Sequence, residues 1–199
     1  MKRQARIVVG LALIASTIVV ASFAFHRTFP SDRSPEGAYA RIAKAIDEGH
    51  PRDVFAFLEQ DAQDAAFSIR DMRHEACVLV ERDYPPGPDR DALLAAYRPQ
   101  GNASDAIDEF LLMDRRRGFL SRLRADLSGV ARVESVGDRA TVVTARGARY
   151  SFRRRPNGVW GLTMFTAEML AESERAARDL ASVRAAAEDY TRVSRERDR

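Results

Sequence analysis

The sequence predicts an α+β fold in which helices come first, an antiparallel meander follows, and a long helix closes the chain. Three observations carry this reading. Apolar residues recur at helical spacing from Tyr39 to Leu127. From Val130 to Phe165 the period switches to two, with glycine- and asparagine-containing turns between short runs. Thr166–Arg199 then contains neither proline nor glycine.

Ahead of that fold stand Lys2, Arg3 and Arg6, followed by the uncharged apolar run Ile7–Phe25. Two readings fit it. A membrane helix needs about 20 apolar residues, and this run qualifies. A secretory signal has a shorter apolar core and a small-residue cleavage site, which Ile7–Val20 with Ser22 and Ala24 also supply. Phe23 and Phe25 prolong the run and favour a retained anchor. No cysteine follows the run, so a lipoprotein is excluded. Positive charge ahead of the run puts the N-terminus inside and the body outside.

The same segment accounts for the net charge of +3, because Lys2, Arg3 and Arg6 are the whole excess over the 29 acidic residues. The exported body is balanced and lacks a net field for phosphates, so no nucleic-acid partner is expected. Lysine occurs only at positions 2 and 44, and alanine is abundant. That bias is typical of a GC-rich bacterial genome and implies the cell envelope, with the body in the periplasm. Cys77 is the single cysteine and has no partner within the chain. A conventional core must therefore hold one domain together.

The elements follow in order. Residues 26–33 read as a polar tether. Ser34-Pro35-Glu36 starts a helix by capping, a preset φ and a favourable dipole charge. Tyr39, Ile42, Ala43 and Ile46 form its apolar face. Gly49-His50-Pro51 ends it and begins a second helix with Val54, Phe55 and Leu58 inward, which makes a helical hairpin. A third helix is expected over Gln63–Arg82, with Ile69, Met72, Ala76, Leu79 and Val80 on one side. Pro85-Pro86-Gly87-Pro88 stops it. A short helix carries Leu93, Leu94 and Tyr97. Ser104 caps another, with Ile107, Phe110 and Leu111 inward, and Phe119, Leu120, Leu123 and Leu127 continue after Gly118.

Val130–Val136, Arg139–Ala145, Ala148–Arg154 and Val159–Phe165 read as strands. Tyr150 and Phe152, then Trp160, Leu162 and Met164, alternate with small or polar residues, the pattern of a sheet packed on one face. In the closing helix, Met169, Ala176, Val183 and Tyr190 interleave with Ser173, Leu180, Ala187 and Ser194 as a weak heptad seam. That seam offers a surface for self-association or a protein partner. Arg195–Arg199 is nearly all charged and reads as a frayed end.

Candidate chemistry is sparse. His74, Cys77 and Glu81 fall on one side of the third helix, away from its apolar face, but have no second ligand pair; a solvated face with Cys77 at its margin explains them. His26 and His50 lie in the tether and a turn. Cys77 as a nucleophile would need a positioned base and a lowered pKa. Asp61 with Asp64, Asp105 with Asp108 and Glu109, and Glu172 with Glu174 are carboxylate groupings that caps and solvated faces account for. Arg115–Arg117, with Arg122 and Arg124, and Arg153–Arg155 are short basic runs read as solvated, with a polyanion or lipid patch as the alternative. No residue is assigned a catalytic, cofactor-binding or metal-binding role, and no cofactor is expected.

SPEGAYARIAKAIDEGHPRDVFAFL (residues 34–58) and DRATVVTARGARYSFRRRPNGVWGL (residues 138–162) resemble the first helical hairpin and the closing strands of bacterial NTF2-like (SnoaL-like, cystatin-like) domains. The resemblance spans residues 34–165 and implies a curved sheet wrapped around helices to make a cone-shaped pocket. Some members are isomerases, cyclases or dehydratases using an Asp, His or Tyr inside the cone; many are envelope modules. Here no histidine lies on an expected strand, and Tyr150 is the one strand residue of suitable chemistry. The helical insert 61–127 is long for the family. The resemblance implies the fold and transfers no functional residue. The expectation is a membrane-anchored, non-catalytic envelope module. Its alternative is a small-molecule pocket or enzyme lined by Tyr150, Phe152 and Trp160.

Overall fold

Ser34 starts the first helix as its chemistry dictates: the Gly37 backbone N–H donates to its Oγ at 3.1 Å. That helix, α1 (Pro35–Asp47), turns Ala38, Tyr39, Ile42, Ala45 and Ile46 inward. The computed structural model describes residues 30–197. The expected anchor Ile7–Phe25 lies outside them. Among the described residues, no helix is long and apolar enough to cross a membrane.

The second limb of the hairpin departs from expectation. α2 (Pro51–Val54) is a single turn, and a 3₁₀ turn, Phe55–Phe57, follows it. Leu58 is extended, with φ −77° and ψ 156°, and makes a parallel bridge to Leu162. The Glu59 N–H then donates to the Leu162 carbonyl at 3.0 Å. Val54, Phe55 and Leu58 are buried as expected, but Leu58 reaches the core as an extension of the sheet.

α3 (Gln60–Asp83) begins three residues before the expected start and ends at the proline cluster. Pro88 opens α4 (Pro88–Gly101). α5 (Ala106–Arg117) is capped by Asp105, whose carboxylate accepts the Asp108 N–H at 2.7 Å. Ser104, the expected cap, donates instead to the Asp108 carboxylate. Gly118, at φ +67°, ends α5 in the left-handed conformation that glycine tolerates, and leads into α6 (Phe119–Ala125).

Four strands follow as an antiparallel meander: β1 (Val130–Val136), β2 (Arg139–Thr144), β3 (Arg149–Arg154) and β4 (Trp160–Leu162), in that spatial order. Val142 faces Tyr150, Ala140 faces Phe152 and Phe152 faces Leu162, so one face of the sheet is apolar and buried. The last strand is shorter than Val159–Phe165. After Leu162 the chain turns out of the sheet. Met164 is exposed, and Phe165 enters the core from the start of α7 (Thr166–Arg197).

Seven α-helices and this sheet make an α+β fold among the described residues. α1 lies on the inner face of the sheet, where the Tyr39 and Tyr150 rings are 5.3 Å apart. Phe110, Phe119 and Phe165 stack at the centre of the core, with Phe119 and Phe165 4.7 Å apart. A smaller cluster, Ala76, Cys77, Val80, Leu94, Leu180 and Val183, joins α3, α4 and α7.

α7 runs alongside α3 in the same direction. Thr166 meets Glu59, Asp179 meets Arg73, Arg184 meets Glu75 and Tyr190 meets Tyr84. The heptad seam is therefore used within the chain: Met169, Ala176, Leu180, Val183 and Ala187 are buried, while Tyr190 is exposed at the far end.

Candidate functional site

Three charged residues occupy core phases of their helices. On α3, Arg73 takes its place in the buried series Ile69, Arg73, Ala76, Val80. On α5, Glu109 lies between Ala106 and Met113, and on α7, Glu172 lies between Met169 and Ala176. Helix packing brings them together with Gln100 of α4. Charges in a dry interior persist only when they are paired or neutralised.

Arg73 is paired. Its Nη1 lies 2.6 Å from Asp179 Oδ2 and its Nη2 lies 3.7 Å from Glu172 Oε1. Its guanidinium stands 4.7 Å over the Tyr97 ring. Glu172 also meets Arg175 at 3.1 Å and Arg117 at 3.8 Å.

Glu109 is handled differently. It is 0% exposed, accepts one hydrogen bond from Gln100 Nε2 at 2.6 Å, and has Arg116 at a distant 3.9 Å. Its second carboxyl oxygen has no partner. Burial pushes its pKa up to about 7; Gln100, Arg116 and Arg73 oppose the shift, and the Glu172 charge adds to it. Glu109 is thus poised to hold or release a proton near neutrality. Sequence reasoning placed Glu109 and Glu172 among caps and solvated faces. The structure corrects both, because they share the apolar phase of their helices. That shared phase, with an arginine in the same phase of a third helix, was the available signal.

The other candidates are engaged locally. His74 is exposed, with its Nδ1 3.1 Å from the Gly101 carbonyl, and Glu81 pairs with Arg98 at 2.8 Å. Cys77 belongs to the smaller apolar cluster and is not at its solvated margin; burial, with the Glu81 charge, raises its thiol pKa. The three residues expected on one face are thus divided between solvent and core. Among the described residues, no group of three His, Cys, Asp or Glu side chains is placed to hold a metal ion. His50 is exposed beside Glu48, and His26 lies outside the described residues.

Arg52 clamps Asp105 and Asp108, at 2.9 Å from the former. Asp64 accepts from Gln60, Asp61 lies 3.6 Å from Arg153, and Glu174 pairs with Arg178. The basic runs are turned partly inward. Arg116 and Arg117 face Glu109 and Glu172, Arg124 donates to the Ile46 carbonyl, and Arg155 donates to Gln63 and the Ala56 carbonyl. Arg153 lies 2.6 Å from buried Glu59, which also accepts from Thr166 Oγ1 at 2.7 Å. This pair floors an open groove of about 540 Å³ over β2, β3 and the start of α7. The arrangement as a whole can hold a proton at Glu109; paired charge joins α3, α5 and α7, and the Gln100 hydrogen bond adds α4.

No family model, curated protein or solved structure gives a significant match to the chain.

Proposed function

We propose that residues 34–165 are an NTF2-like domain, held at or carried across a membrane by residues 1–25, and that it acts as a non-catalytic binding or scaffolding module of the bacterial cell envelope. Helices placed ahead of an antiparallel meander, with α1 lying on the sheet, support the family reading. One observation carries the non-catalytic reading: the inner face of the sheet is packed with side chains. Tyr150, Phe152 and Trp160 are all buried there. Tyr150 donates to the Leu123 carbonyl at 3.3 Å and Trp160 Nε1 to the Arg33 carbonyl at 3.1 Å, so their polar atoms serve the fold. α7 exposes Leu170 near its start and Val193 near its end, two separate positions from which a bound partner can be crosslinked.

The test is protease accessibility in spheroplasts, combined with photocrosslinking from Leu170 and Val193. The expected result is a body digested from outside an intact inner membrane and crosslinked to an envelope protein. A body that external protease cannot reach overturns the reading. N-terminal sequencing separates the two leader readings, since a first residue of Phe25 means cleavage.

A further inference from the structure

β1 is an edge strand. It pairs with β2 on one side and with no strand on the other among the described residues. Six of its seven residues are exposed, Val136 at 83% and Val130 at 40%. Such an edge presents a row of free backbone donors and acceptors, a template for another strand. Its sequence, Val-Ala-Arg-Val-Glu-Ser-Val, names the strand that fits.

We propose that β1 pairs antiparallel with β1 of a second copy of this chain, about a two-fold axis at Val133. Arg132 and Glu134 point to the outer face of the sheet and Val133 to the inner face, where it packs partly against the core. With the axis at Val133, Arg132 of one copy stands opposite Glu134 of the other, twice, and the two Val133 side chains meet. Opposite charges directly across a strand pair stabilise it, and like charges destabilise it.

Charge also selects this register. A two-fold pairing keeps inner and outer faces matched only when the strands slip by even steps. Moving the axis to Glu134 puts two carboxylates face to face, and moving it to Arg132 puts two guanidiniums face to face. The bulge between Val130 and Arg132 lies at one end of the strand and leaves Arg132–Val136 in regular register. Within one copy Glu134 already lies 2.9 Å from Arg132 and 2.6 Å from Arg149, so the edge charges are held on the outer face beside the seam. An isologous contact of this kind closes on itself as a dimer.

The experiment is sedimentation of the full chain in detergent over a wide concentration range, with Arg132→Glu, Glu134→Arg and the double exchange. Each single variant places like charges opposite and loses the dimer; the double exchange restores the opposite pairing and recovers it. A separate variant, Val133→Cys, forms an intermolecular disulfide on mild oxidation, whereas Val136→Cys, three residues from the axis, does so far more slowly. A monomer at every concentration overturns the proposal. So does a dimer that both single variants keep, the behaviour of association through residues 1–25. Equal crosslinking at both introduced thiols overturns the register.

Discussion

Gln100 Nε2 donates to Glu109 Oε1 at 2.6 Å with both side chains buried, and this single bond is the closest polar partner that the Glu109 carboxyl has. The folded chain keeps a proton on Glu109 up to about pH 7, whereas an ordinary glutamate releases it near 4.5. Between those values the folded state binds more protons than the unfolded state. Stability therefore falls as pH rises through that window and levels off above it. The full loss is on the order of 3 kcal/mol. Glu109→Gln keeps an acceptor for Gln100 without the ionisation. Unfolding free energies from urea titrations at about pH 5 and about pH 8 are expected to differ in the parent chain by most of this loss, and to converge in the variant. A parent chain equally stable at both would remove the reading.

Arg73→Met takes the cation away from Asp179 and from buried Glu172. Removing one member of a buried pair costs about 3–5 kcal/mol, because the remaining charge stays desolvated. Arg117 and Arg175 still face Glu172, which places the expected loss at the lower end. Chemical denaturation measures it. A change of under about 1 kcal/mol would mean that this arginine acts as an exposed ion pair does.

Gly161→Ala tests the junction between the helical limb and the sheet. A Cβ at this position would lie 2.6 Å from the Leu58 carbonyl oxygen and 2.7 Å from Glu59 Cα. The neighbouring atoms are backbone, so relief requires moving the bridge between Leu58 and Leu162. A loss of about 1–3 kcal/mol is expected, read as a lowered thermal midpoint. Gly137→Ala has open space around its Cβ and reports only the strain of its φ of +61°.

Cys77 is expected to be inert. Its side chain is enclosed by α4 and α7 and its pKa is raised, so thiolate is scarce. The native chain should resist alkylation near neutral pH and react fully once unfolded in urea. Rapid labelling of the folded chain would contradict the burial.

The elements that were legible are those set by neighbours in the chain. Ser34-Pro35 placed the start of α1, the proline cluster ended α3, and Gly137, Gly147 and Gly158 took the positive φ that their turns need. Tyr150 and Phe152 alternated inward as their period required. The spacing of Leu58 from Val54 suits a helix. Leu58 became extended because the free edge of β4 offered its backbone a partner. For Glu109 and Glu172 the local surroundings, a helix start and a charged run, favour a solvated face, whereas their phase with Ala106, Met113, Met169 and Ala176 points inward; the partners that make the inward position tenable stand on other helices.

The sequence by itself determined the order of helices, meander and long helix, the turns, the apolar phases of most elements and the charge balance of the body. Caps, φ preferences and periodicity act over a few residues, so these features need no distant contact. Only the tertiary structure decided where α7 lies, that its seam packs on α3, and that Arg73, Gln100, Glu109 and Glu172 share one dry interior. Arg73 and Asp179 stand 106 residues apart in the chain, and a pairing over that distance follows from how the helices pack.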